Sequence, residues 1–111
     1  MKVVIKPYKT DEFLESTHPL FSILRKKKGC LDFRLSRDYE NEDVFIMVGE
    51  WNTHEAMEKY FHSKEFKLIL GAAKVLGETF SMNIAEVSKT GGFELAREQI
   101  ASQQRKRAEA G

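Results

Sequence analysis

Apolar residues fall along the chain in two rhythms, a period of two in short runs and spacings of three and four in longer ones, and each change of rhythm marks an element. The run KVVIKPY (2–8) is short and β-branched, which predicts a first strand ending near Pro7. Thr10 followed by Asp11 and Glu12 predicts a helix start, with a capping hydroxyl and two acids at the positive end of the helix dipole. From there Phe13, Leu14, Thr17, Phe21 and Leu24 share one face, and Lys26, Lys27 and Lys28 before Gly29 supply a basic last turn and a stop. Pro19 lacks a donor and crowds the preceding turn, so a kink is expected there, or a restart capped by Thr17 or His18.

The run CLDFRLSRDYE alternates Leu31, Phe33 and Leu35 against Asp32, Arg34 and Ser36, a half-buried strand pattern, and ENED (40–43) closes a hairpin. The next run, VFIMVGEW (44–51), is apolar on both faces through Val48, which predicts a central strand covered from two sides. With helices on one side only, the other cover in so small a chain is expected to be a second subunit. Thr53 is the expected cap of one continuous helix ending at Gly77, with Ala56, Met57, Tyr60 and Phe61 inward, then Phe66, Ile69, Leu70, Ala73 and Leu76. TFSMNIAEV (79–87) alternates Phe80, Met82 and Ile84 against Ser81, Asn83 and Ala85 and predicts a fourth strand.

The order is β-α-β-β-α-β, an α+β ferredoxin-like subunit. KTGG (89–92) is a break, and the remainder reads as a weakly amphipathic helix with Phe93, Ala96 and Ile100 as its apolar points. The expected division is a single domain over 1–88 and a linker with a helical tail over 89–111.

Composition narrows the function classes. A length of 111 residues suits one domain with a modest core. The 18 basic and 17 acidic residues leave no global field to attract nucleic acid or an anionic membrane, so neither is an expected partner. Cys30 is alone and the start MKVVIKPYKT lacks a long apolar segment, which makes the cytoplasm the expected location. No two of His18, His54 and His62 stand four apart on a helix, and no phosphate-cradling glycine loop is present, so neither a metal nor a nucleotide cofactor is expected. An RNA-recognition module shares this strand order, but DVFIMVGEW has no basic residue where that module's third strand needs one.

The stretch KGCLDFRLSRDYENEDVFIMVGEWNTHEAMEKYFHSKEF resembles the antibiotic biosynthesis monooxygenase (ABM) domains, small proteins of the dimeric α+β barrel class. The resemblance lies in Gly29-Cys30 leading into strand two, Glu50-Trp51 ending strand three, Glu55-Ala56-Met57, and Ser63 with Phe66 three residues on. It covers roughly residues 2 to 87 and implies a homodimer. It also implies an enzyme that oxygenates a small aromatic or quinol with dioxygen and no bound cofactor. Relatives of that family bind and degrade haem. Where a histidine is common on the second helix, this chain has Tyr60 and Phe61, with His62 one step later, and its first strand lacks the asparagine of the haem-degrading branch.

Cofactor-free oxygenation needs a dry pocket, a base and a donor for a developing anion. On an unbroken helix His62 lies four before Phe66 and seven before Ile69, so it would join the apolar face either as the base or as a partly buried imidazole bonded to a carbonyl. Tyr60 is the candidate donor, or a core ring with a satisfied hydroxyl. Trp51 is the candidate wall for an aromatic ligand, or ordinary core. Phe33, Met47, Phe66 and Met82 are expected to line the same pocket, the methionines as adaptable surface. Cys30 reads as a small buried hydrophobe. Two other readings stay open: a non-catalytic small-ligand or sensor module on this fold, and haem binding with His62 as the helix-two ligand.

Overall fold

The computed structural model describes residues 1–110, with side chains described for 1–102 and for Arg105. Strand β1 (Lys2–Ile5) is followed by helix α1 (Thr10–Arg25), the hairpin of β2 (Cys30–Arg37) and β3 (Val44–Trp51), helices α2 (His54–Phe61) and α3 (Lys64–Leu76), strand β4 (Gly77–Ser81) and helix α4 (Phe93–Ala110). The four strands form one antiparallel sheet in the order β2-β3-β1-β4, the ferredoxin-like arrangement.

The alternation read from the sequence becomes two sheet faces. Val3, Ile5, Phe33, Phe45 and Met47 point to the helices and are buried with Phe13, Phe21 and Leu24 of α1 and Phe66, Ile69, Ala73 and Leu76 of α3. Thr17 lies inside this core because its hydroxyl donates to the Phe13 carbonyl, 2.8 Å away in the same helix. The opposite face carries Ile46 and Val48, still 39% and 42% exposed, so the strand expected to be covered from two sides is covered from one within a single chain.

Three expectations change. Helix α1 passes through Pro19 as one element, with no restart, and the proline ring is on the exposed side. Lys9, with no side-chain cap bond, stands at the capping position instead of Thr10. The long second helix is two helices. Thr53 Oγ1 accepts from the Ala56 N–H at 3.1 Å and opens α2, as expected, but Ser63 Oγ accepts from the Phe66 N–H at 3.2 Å and opens α3. A serine followed by an acid in the next turn is itself a helix start, and here it outcompetes continuation. Leu70, expected inward, is 40% exposed.

The third change is at the fourth strand, which ends at Ser81 instead of continuing to residue 87. Ser81 pairs with Lys2, the first residue of β1, and residues 82–87 lie outside the sheet. They continue as an uncovered arm, with Met82 40%, Ile84 59% and Val87 72% exposed. No described helix is long and apolar enough to cross a membrane.

Candidate functional site

The end of the sheet at which β1 stops is also where β3 runs on into α2, and a cleft of about 840 Å³ opens there. Its walls are Phe33 of β2, Met47, Gly49 and Trp51 of β3, Met57, Tyr60 and Phe61 of α2, and the arm from Met82 to Val87. Strand alternation puts Met47, Gly49 and Trp51 on the helix side, and Thr53 fixes where α2 begins, so that Tyr60 falls over Trp51.

The centre of the wall is aromatic. Trp51 and Tyr60 stack with centroids 4.9 Å apart and 23° between planes. Tyr60 also meets Phe33 edge-on at 5.6 Å, Phe66 edge-on at 5.1 Å, and Phe61 at 5.3 Å. Gly49 makes room for this cluster, since a Cβ there would lie 3.0 Å from the Phe33 ring and 3.2 Å from Trp51 Nε1. Such offset and edge contacts satisfy the ring quadrupoles and hold the phenol rigidly.

Tyr60 is 3% exposed, and its hydroxyl has no hydrogen-bond partner among the described residues. Burial, with a smaller contribution from Cys30, pushes its phenol far above the ordinary range, so it is a protonated donor at any physiological pH. Burial likewise raises the Cys30 thiol, with the Asp32 charge adding to it against a backbone hydrogen bond at Asp32 and the Arg25 cation. Cys30 therefore stays a thiol and packs as a small apolar group at the edge of the core.

Of the residues singled out in the sequence, Trp51, Tyr60, Phe33, Met47 and Met82 all come together on the cleft wall. Phe66 does not reach it; it backs Tyr60 and Phe61 from the core side. His62 is the main correction. Because α2 ends at Phe61, His62 becomes its C-terminal cap, exposed to solvent and outside the cleft lining. The apolar-face position argued for it required a continuous helix. For the same reason its imidazole is not part of the cleft wall.

Pattern reasoning missed His54, which does line the cleft and whose Nε2 lies 3.0 Å from Glu58 Oε1 one turn on. The signal was available, since a residue directly after a capping threonine must sit at the mouth formed by strand end and helix start. Asp32 and Arg34, on the polar side of the alternation, bond each other at 2.8 Å within β2 on the face away from the helices.

Comparison with known proteins supports this architecture. A conserved protein from Methanosarcina mazei Go1 is 25% identical and superimposes with a TM-score of 0.66, covering 71% of this chain and 78% of its own. A Deinococcus radiodurans protein provisionally named as an antibiotic biosynthesis monooxygenase is 16% identical, TM-score 0.68, over 82% and 94%. A Mycobacterium tuberculosis protein is 10% identical, TM-score 0.71, over 81% and 93%. No functionally curated protein matches by sequence. The sequence profile of the antibiotic biosynthesis monooxygenases matches residues 1–70, which hold β1, α1, the hairpin, α2 and the Trp51–Tyr60 wall, and the chain belongs to that family.

Proposed function

We propose that the protein is a cofactor-independent monooxygenase that oxidises a small aromatic phenol or quinol with dioxygen in the Trp51–Tyr60 cleft. The observation that carries this reading is the Tyr60 hydroxyl: buried, protonated, unpartnered, and part of an aromatic wall. A buried donor without a partner costs roughly 1–3 kcal/mol, and a ligand oxygen would recover that cost.

The flat Trp51–Tyr60 surface suits an aromatic ring, and Tyr60 would stabilise the phenolate oxygen as its proton leaves. His54, at the cleft mouth, is the imidazole placed to take that proton. The phenolate passes one electron to dioxygen, and the radical pair combines at a ring C–H carbon to give a peroxide, which the proton held by the base neutralises. Loss of the ring proton with cleavage of the O–O bond leaves a quinone carbonyl and water. One oxygen atom enters the product, the other leaves as water, and the substrate supplies all four electrons.

The same reading makes the protein a homodimer that closes its exposed sheet face, Ile46 and Val48 included, against a second copy as an α+β barrel. A second reading, a non-catalytic ligand-binding module, draws support from the exposure of all three histidines. Oxygen uptake by metal-free protein across a panel of quinols and hydroxylated aromatics separates the two. Saturable uptake that falls about a hundredfold in His54→Ala and is unchanged in His62→Ala supports the enzyme, on the scale of losing a general base. Ligand binding with no uptake above the protein-free control supports the binding module.

A further inference from the structure

The cleft is uneven in burial and in charge. At its inner end Phe33, Met47 and Tyr60 are buried, and the Tyr60 hydroxyl lies there without a partner among the described residues. At its opening stand Glu50, near the end of β3, and Glu86, on the arm that follows β4, both exposed. Glu50 is on the outer face of β3, opposite to Gly49 and Trp51, so it meets the cleft on its open side.

These carboxylates have no side-chain cation beside them on the lining. Among the described residues that line the cleft there is no lysine or arginine. The Met1 nitrogen is taken up within the sheet, where it donates to the Met47 carbonyl at 2.7 Å. His54 lies 3.0 Å from the Glu58 carboxylate, so a proton gained by the imidazole is matched by that charge. Opposite Glu50 across the β2–β3 pair is a further acid, Asp32, which already engages Arg34 at 2.8 Å. The opening is therefore negative, although the chain as a whole carries a net charge of +1. The aromatic wall adds to this field, because an aromatic ring is negative over its face.

We infer that the cleft takes an aromatic ligand bearing a protonated amine, an arylalkylamine, with its ring on the Trp51–Tyr60 wall and its ammonium at the Glu50 and Glu86 carboxylates. This rests on the reading of the cleft as the substrate site and adds the class of substrate that it accepts. Two separate features point to such a molecule. The orphan hydroxyl at the inner end calls for an acceptor such as a phenol oxygen, and the carboxylates at the opening call for a cation. A cleft of about 840 Å³ has room for both ends. A tail ending in a carboxylate, sulfate or phosphate brings like charge to the opening and is disfavoured. Each exposed contact is modest, but two carboxylates and the ring faces act on a single charge.

Calorimetric titration of the intact chain at low salt, under nitrogen, separates binding from turnover. Tyramine, tyrosol and para-hydroxyphenylacetate share a phenol ring and end in a cation, a neutral hydroxyl and an anion. Tyramine is expected to bind about tenfold more tightly than tyrosol, para-hydroxyphenylacetate more weakly than either, and the spread to shrink in high salt. In the double variant Glu50→Gln, Glu86→Gln, whose exposed side chains keep their size, the tyramine to tyrosol ratio is expected to fall to about one. Equal affinities for the three probes, or tightest binding of the anion, overturn the amine class. A preference for tyramine that survives in the double variant overturns the assignment to Glu50 and Glu86. Oxygen uptake with neutral quinols, measured alongside, keeps this inference apart from the reading beneath it. Uptake without any preference for amines retains the monooxygenase and overturns the amine class, whereas no uptake and no binding of any probe overturns both.

Discussion

Gly29 and Ala56 meet with no space for another atom between them: a methyl on Gly29 would stand 2.6 Å from the Ala56 Cβ, and 2.8 Å from Asn52 Oδ1. Gly29 also sits at φ +86°, and its carbonyl accepts from the Asn52 N–H at 2.8 Å. This contact clamps the start of β2 to the entry of α2 and so sets how α2 lies over the sheet. Gly29→Ala is expected to destabilise the protein by about 1–3 kcal/mol, from left-handed backbone strain and overpacking together. Urea denaturation measures it, and a midpoint unchanged from wild type would mean that the clamp yields freely.

Tyr60→Phe should move stability and activity in opposite directions. Removing a buried hydroxyl without a partner is expected to leave stability unchanged or raise it by about 1 kcal/mol. Losing the donor to a developing anion is expected to lower turnover by roughly a hundredfold. Denaturation and oxygen uptake on the same preparation give both numbers, and a loss of activity matched by a loss of stability would assign Tyr60 to packing alone.

The same phenol predicts a pH signature. Its folded-state pKa is raised above the ordinary 10.0, so above that pH the unfolded chain loses a proton that the folded chain keeps. Stability from this group is intact below pH 10.0 and declines above it, at up to about 1.4 kcal/mol per pH unit. The alkaline slope of unfolding free energy should therefore be shallower in Tyr60→Phe than in wild type. Equal slopes would show that the hydroxyl reaches solvent in solution.

Ser63→Ala tests the helix break. The Ser63 side chain accepts from the Phe66 N–H and donates to the Tyr60 carbonyl at 2.6 Å, joining the end of α2 to the start of α3. Its loss is expected to cost about 1 kcal/mol, the usual worth of an N-cap, with the secondary structure retained by circular dichroism.

Much of this architecture is legible in the residues. The alternation of Leu31, Phe33 and Leu35 and the Thr53 cap place β2 and α2 without further information, because period and capping are local properties. The failures have different causes. His62 was misplaced because the apolar spacing from Tyr60 to Ile69 continues across a break that only the Ser63 hydroxyl reveals. Residues 82–87 alternate as a strand would, but the fourth strand ends at Ser81, because a strand is made by its partner and the pairing of β1 with β4 is a register that no local pattern contains. The uncovered Ile46 and Val48 were legible as apolar but not as to what covers them.

The Trp51–Tyr60 stack also makes the protein its own optical instrument. Trp51 is the only tryptophan of the chain, half-buried on the cleft wall, so all indole emission originates at the place where a ligand would sit. Light absorbed by Tyr60, 4.9 Å away, passes efficiently to that indole. An aromatic occupant that displaces water from the wall would shift the emission to shorter wavelength or quench it by electron transfer, so occupancy can be titrated in unlabelled wild-type protein before any product has been identified.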